Sequence, residues 1–134
     1  MSSQSTYVGN VITAIDALGY GLSKDNFDFD AVPSSIMDQA YRWEISTDEV
    51  KELSGSRVEK AKMLDLWFAY KLTAGGDRKA AVIAMLDKIE TVEDTLLKAL
   101  STIPSMVLKT VMSKLVGNYI IFNVGFNFTY WRDI

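Results

Sequence analysis

The chain has 134 residues, of which 49% are hydrophobic and 23% charged, and it contains neither cysteine nor histidine. These proportions are typical of one globular domain and argue against long disordered stretches. The missing cysteines exclude disulfides and thiolate chemistry, and the missing histidines remove the usual general base near neutral pH. We therefore expect a single domain over residues 1–134 that is not an enzyme and holds no metal or cofactor.

The net charge of −3 disfavours one further class of function. A nucleic-acid binder normally presents a basic face, and this sequence has no run of basic residues. No apolar run approaches the roughly 20 residues that span a bilayer, and the N-terminus lacks the basic and apolar regions of a signal peptide. We expect no specific nucleic-acid binding, no membrane contact and assembly inside a cell.

The first part of the chain is predicted to be a helix followed by a loop. Apolar residues recur at spacings of three and four over residues 3–18: Val8, Val11, Ile12, Ile15 and Leu18. Gly19 is a plausible end to this helix. Residues 20–33 are rich in Gly, Ser, Asp and Asn, which predicts a loop, and Phe27, Phe29 and Val32 are expected to hold it on the core.

Two alternating segments predict an antiparallel hairpin with long arms. In residues 39–46, Tyr41, Trp43 and Ile45 share one face, whereas Arg42 and Glu44 share the other. Residues 57–72 alternate in the same way. The charged segment 47–56 between them is interpreted as a polar connection.

A long helix and a second hairpin complete the predicted fold. The helical stripe of residues 77–103 contains Val82, Met85, Ile89, Val92, Leu96, Ala99 and Ile103. It keeps its phase across a possible capping pair at Thr91 and Asp94, which favours one helix, straight or slightly kinked, that ends before Pro104. Residues 105–116 fit a strand or a helix, and the following Gly117-Asn118 pair favours a strand. From Ile120 to Tyr130 every even position is apolar, which predicts a core strand.

The fold class predicted from these elements is α+β. An antiparallel-rich sheet of about four strands, built from two hairpins, carries the N-terminal helix and the long helix on one face. Asp25, Asp28 and Asp30 lack the ligand order of a calcium loop, so a solvated loop is the preferred interpretation. Asp65 is interpreted as a carboxylate on the outer face of the sheet.

The charged connection and the odd face of the long strands together suggest a contact surface. Met63, Trp67, Ile121 and Trp131 are large apolar groups on the face expected to meet solvent. Exposed apolar patches of this kind mark interfaces. The predicted subunit or partner interface comprises Asp48, Glu49, Lys51, Glu52, Arg57, Lys60, Met63, Trp67, Ile121 and Trp131.

The layout resembles the tail terminator, or tail-to-head joining, proteins of long-tailed bacteriophages. The shared features are the N-terminal helix, the Phe-Asp-Phe-Asp-Ala-Val-Pro segment at Phe27–Pro33, the hairpin with a charged tip, the long helix and the closing hairpin. The resemblance implies a structural virion protein of the tail or neck, with no catalytic residues. It implies a homo-oligomeric ring, as in the hexamers of that family, which closes the tail tube, joins it to the head-completion or connector protein and lets DNA pass.

Two other functions remain open from the residues alone. The first is a small monomeric α+β module that binds an apolar ligand between sheet and helices, where methionines would form an adaptable wall. The second is an enzyme without histidine that would depend on Asp65 or Tyr70. Head-completion and tail-tube proteins are also neighbouring possibilities within the phage particle.

Overall fold

The computed structural model describes residues 4–45, 49–54, 57–72, 78–100 and 106–133. It confirms the α+β class, although the sheet has six strands rather than about four. The elements in chain order are α1 (Gln4–Ala17), β1 (Gly21–Leu22), β2 (Ala40–Ile45), β3 (Glu49–Ser54), β4 (Arg57–Lys71), α2 (Arg78–Leu100), β5 (Met106–Val116) and β6 (Tyr119–Asp133). Within these ranges, neither helix has the combination of length and apolar character needed to cross a membrane.

The two longest strands form the centre of the sheet. β4 and β6 are antiparallel and pair along their whole length, from Arg57 opposite Asp133 to Lys71 opposite Tyr119. The strand order is β1-β2-β4-β6-β5, and β3 pairs with β4 beyond the end of β2. All of these pairings are antiparallel except that of β1 with β2.

The alternation of the sequence places one face of the sheet against both helices. Even-numbered residues are buried there over 64–70 of β4 and 120–126 of β6, including Leu66, Phe68, Phe122 and Val124. Both helices contribute their predicted stripes to the same core, namely Val11 and Ile15 from α1 and Met85, Ile89, Val92 and Leu96 from α2. Burial of these apolar side chains is the main stabilising term of the fold.

The ends and continuity of the helices follow the sequence signals. Gly19 has a left-handed φ of 91° just beyond α1, as a C-terminal glycine does. The helix α2 runs through Thr91 without a restart. The Thr91 hydroxyl donates back to the Asp87 carbonyl, so it does not cap a new helix. The prediction of one continuous helix is therefore confirmed within Arg78–Leu100.

The second hairpin also forms as predicted. Residues Gly117 and Asn118 connect β5 to β6, and Gly117 has a φ of 59°. A glycine with positive φ at the first central position is the requirement of a type II′ turn, whose twist suits antiparallel strands. The carbonyl of Asn118 also accepts a hydrogen bond of 2.7 Å from the amide of Leu72, which ties the turn to the end of β4.

The structure corrects the interpretation of residues 47–56 as a polar connection. Glu49–Ser54 forms the strand β3 and pairs with β4. Residues 46–48 and 55–56 lie outside the described residues. The loop predicted for residues 20–33 is also longer: residues 23–39 cross the face of the sheet opposite the helices, and we call them the covering loop.

Candidate interaction surface

Among the described residues, the outer end of the sheet is a three-stranded arm. We define the arm as Glu49–Ser54, Arg57–Ala61 and Thr129–Asp133. The pairing of β2 with β4 ends at Ile45 opposite Leu64, and the described pairing of β5 begins at Met106 opposite Phe128. At 3.3–3.4 Å per residue, the five-residue arm extends the sheet by about 17 Å.

The register of the arm brings charged positions together. Glu52 lies directly opposite Glu59, and Glu59 lies opposite Trp131 on the other side of β4. Like charges directly opposite each other in an antiparallel pair are destabilising. Lys51 is the extra residue where the register shifts between Val50 and Glu52. A bulge of this kind bends a strand and increases its twist.

These positions include most of the predicted interface. The structure places Glu49, Lys51 and Glu52 in β3, Arg57 and Lys60 in β4, and Trp131 in β6. The strand pairing of these residues is described at the level of the backbone. Asp48, the remaining acidic residue of the predicted interface, lies outside the described residues. The predicted charged tip is thus a paired part of the sheet, and the register brings its positions next to that of Trp131.

The expectation that the odd face of the sheet lacks an intramolecular cover is wrong for Ile121. Ile121 is fully buried, because the covering loop places Phe27 and Ile36 over it. The small side chains of Ala40 and Ala69 leave room for this second, smaller core. Ile121 therefore cannot serve as a surface contact while the covering loop is in place.

Trp67 lies at the margin of the covering loop. Its ring meets the Phe29 ring edge to face, with centroids 5.0 Å apart, and it packs against the smaller core. Its indole nitrogen is buried and has no hydrogen-bond acceptor among the described residues. Met63 is also half-buried. The covering loop thus accounts for part of the apolar face that the sequence predicts to need a partner.

Arg42 fastens the covering loop to the sheet. Its Nε donates a 2.7 Å hydrogen bond to the Phe27 carbonyl, and its guanidinium lies 4.8 Å from the Trp67 ring centroid. It also forms an ion pair with Glu44. Such a planar cation suits a site that combines hydrogen bonding with contact to aromatic faces.

The far end of the covering loop has separate anchors. The Tyr119 hydroxyl donates to the carbonyl of Ile36 over 2.6 Å, and the amide of Lys71 donates to an Asp38 carboxylate oxygen over 2.9 Å. Both anchors connect the loop to the central strands. The loop is therefore held at both of its ends.

The acidic residues of the covering loop shape its own turns. One Asp28 carboxylate oxygen accepts hydrogen bonds from the amides of Asp30 and Ala31. These two bonds lower the pKa of Asp28. Asp25 accepts a hydrogen bond from the Ser35 hydroxyl. Across the described ranges, no group of three or more acidic residues is placed to hold a metal ion.

Asp65 lies beyond the covering loop, on the outer face of the sheet and directly opposite Glu44. Partial burial raises its pKa, and the nearby charge of Glu44 adds to the effect, whereas a hydrogen bond with Asn123 lowers it. Asn123 also donates to the Leu66 carbonyl over 3.3 Å. The carboxyl group is thus half-buried rather than fully solvated.

The sequence pattern missed the structural role of Arg42. It correctly placed Arg42 and Glu44 on the same face, but it gave no sign that the earlier Phe27 segment folds across that face. The only available signal was the apolar spacing of Phe27, Phe29 and Val32, which correctly predicted that the loop is held on a core. No protein-family model matches the chain, and no curated protein matches it either.

Proposed function

We propose that this protein is a ring-forming tail terminator or neck component of a long-tailed bacteriophage, located in the virion. In this role it closes the tail tube and joins it to the head-completion or connector protein. The observation that carries the proposal is the three-stranded arm, in which the β3, β4 and β6 backbones continue past the last described pairs of β2 and β5. Such an extension suits a contact with another subunit.

The charge pattern of the arm supports contact with a partner. Positions 52 and 59 are register partners and both are glutamate, and like charges opposite each other in an antiparallel pair are unfavourable. A basic group from a neighbouring subunit or from the tail tube would offset that repulsion and set the register of docking. The net charge of −3 also suits a ring through which DNA passes without binding.

The proposal is tested with Glu52→Lys, which replaces two like charges at the register partners 52 and 59 by opposite charges. If the arm docks through its acidic positions, the variant folds at least as stably as the wild type but assembles at least tenfold more weakly. Native mass spectrometry measures ring formation alone and with purified tail tubes, and electron microscopy measures the fraction of tubes that are capped. Glu90→Lys on the exposed surface of α2 is the control, since it makes the same change in charge.

Unchanged capping by Glu52→Lys would show that the acidic arm does not dock. A wild-type chain that stays monomeric in the presence of tail tubes would overturn the proposed function as a whole. The alternative of a ligand held between sheet and helices gains no support from the methionines described there. Met85 packs in the core, whereas Met37 is exposed.

A further inference from the structure

The helix α2 carries a second apolar stripe on the side that faces away from the core. Seven large apolar side chains are exposed in the described part of the chain, and three of them lie on this stripe: Ile83 at 61%, Leu86 at 41% and Leu97 at 48%. Single exposed apolar residues are ordinary, whereas a group of them on one side of one helix marks a contact surface.

Two glutamates continue the stripe between its apolar ends. Residues 83, 86, 90, 93 and 97 follow one another at spacings of three, four, three and four, and we call them the outer stripe: Ile83, Leu86, Glu90, Glu93 and Leu97. These are the spacings of the seam along which two helices pack in a coiled coil. At 1.5 Å per residue, the outer stripe is about 21 Å long, which a second helix of about four turns would cover.

The centre of the outer stripe is acidic. Glu90 and the adjoining Asp94 are exposed, and Glu93 between them is half-buried. Partial burial raises the pKa of Glu93, and the negative charges of Glu90 and Asp94 raise it further. The cations Lys79 and Lys98 lie toward the two ends of α2, with the three acids between them. A group that covers the centre of the stripe is therefore favoured if it is positively charged.

This charge pattern decides which helix fits. A helix with a fully apolar seam would bury the glutamates without partners, which is costly. A second copy of α2 with its apolar ends aligned would place acids against acids in either direction, and like charges across an interface are unfavourable. A helix with lysine or arginine at two central seam positions and large apolar residues at the outer ones avoids both costs.

We propose that the outer stripe of α2 binds an amphipathic helix of another protein, whose seam is basic at its centre and apolar at its ends. The outer stripe shares no residue with the arm, so this inference does not depend on the proposed role in the phage tail. A single helix-to-helix contact buries a small area, so the binding is expected to be weak and reversible.

The test uses two synthetic peptides of three heptads, each held helical by a cross-link on the side away from its seam. Both carry leucine at the outer seam positions, and they differ in having lysine or glutamate at the two central ones. Fluorescence anisotropy measures the binding of each labelled peptide to the full chain. The lysine peptide is expected to bind in a saturable way and at least tenfold more tightly than the glutamate peptide.

Two surface variants of the chain test charge and apolar contact separately. Glu90→Lys is expected to reverse the preference, so that the glutamate peptide binds more tightly than the lysine peptide. Asp30→Lys is its control, since it makes the same change in charge on the covering loop and should keep the wild-type preference. Leu86→Gln is expected to weaken the lysine peptide at least fivefold, whereas Leu22→Gln, at another exposed leucine, should leave it unchanged.

Two sets of results would overturn the proposal. Equal binding of the two peptides to the wild-type chain, or a Glu90→Lys variant that still prefers the lysine peptide, would overturn recognition by charge. Failure of the lysine peptide to bind in a saturable way, or unchanged binding by Leu86→Gln, would overturn the outer stripe as a docking surface. Capping of tail tubes by Glu90→Lys is expected to stay as in the wild type, which separates this surface from the arm.

Discussion

The guanidinium carbon of Arg42 lies 4.8 Å from the ring centroid of Trp67, so that a cation of β2 rests on an aromatic ring of β4. The same guanidinium lies 5.7 Å from the Phe27 ring centroid. These contacts join the two strands to the covering loop on the face of the sheet opposite the helices. Through these contacts, the face of the sheet opposite the helices holds the smaller core beneath the covering loop although it also carries polar residues.

Replacement of Arg42 by Met is expected to lower the free energy of unfolding by about 2 kcal/mol. The variant loses the hydrogen bond to the Phe27 carbonyl and the contacts with two aromatic rings. Urea denaturation measures the loss. Glu44→Gln is the control, with an expected change below about 0.5 kcal/mol, because the Glu44 side chain is 60% exposed. Equal effects of the two variants would contradict the role of Arg42.

The buried tyrosine pair is expected to make stability fall steeply in alkaline solution. Burial raises the pKa of both Tyr20 and Tyr70 above the ordinary value of 10.0. Above pH 10 the unfolded chain therefore loses these protons while the folded chain retains them. The contribution of the tyrosine pair to the free energy of unfolding is complete below pH 10. It declines as the pH rises toward the folded pKa values, by up to about 1.4 kcal/mol per pH unit for each tyrosine.

The measurement for the tyrosine pair is the urea midpoint between pH 9 and pH 11. The double variant Tyr20→Phe, Tyr70→Phe should show a shallower decline than the wild type over this range. Each single variant should lose about 1–2 kcal/mol at pH 7, since it leaves one buried hydroxyl without its partner. A double variant as steep as the wild type would mean that other groups cause the alkaline loss.

Gly117→Ala is expected to lower stability by about 1 kcal/mol through backbone strain alone. A Cβ at this position meets no atom within 4 Å, but the φ of 59° is unfavourable for alanine. Gly9→Ala is the matched variant, because a Cβ there also meets no atom within 4 Å and Gly9 lies within α1. It should raise stability by about 0.5–1 kcal/mol. Thermal denaturation of both variants compares them, and effects of the same sign would contradict this account.

Asp65→Asn is expected to stabilise the protein at pH 7 by about 0.5 kcal/mol. Burial raises the pKa of Asp65, so the charged form is disfavoured in the folded state. In the wild type, the neutral Asp65 carboxyl contributes favourably to the free energy of unfolding. This contribution is complete below pH 3.8 and is lost as the pH rises through the folded pKa of Asp65. The expected gain is small because solvent reaches this half-buried group.

Chemical denaturation at pH 4 and pH 7 measures the effect of Asp65→Asn. The advantage of the variant should be larger at pH 7, where the wild-type carboxyl is ionised. Asp94→Asn is the control on the exposed surface of α2. A variant that is less stable than the wild type at pH 7 would show that the charge of Asp65 makes a favourable contact.

Local periodicity was sufficient to predict the main elements. The apolar alternation in β4 and β6 and the apolar stripe of α2 each repeat over many residues. The repeat therefore shows clearly which side of each element is buried. The strand β3 was missed because Glu49–Ser54 is short and charged, and its pairing with β4 depends on a register set elsewhere in the sheet. Strand pairing of this kind is decided by neighbours rather than by composition.

The sequence by itself determined the α+β class, the helix-facing core and the position of the Gly117-Asn118 turn, because each depends on spacing or backbone geometry within one segment. Only the tertiary structure decided that Ile121 is covered by the chain's own loop and that Arg42 is buried beside Trp67. Those outcomes need contacts between residues far apart in the chain. The same period-two pattern would arise whether a loop or another subunit covered that face.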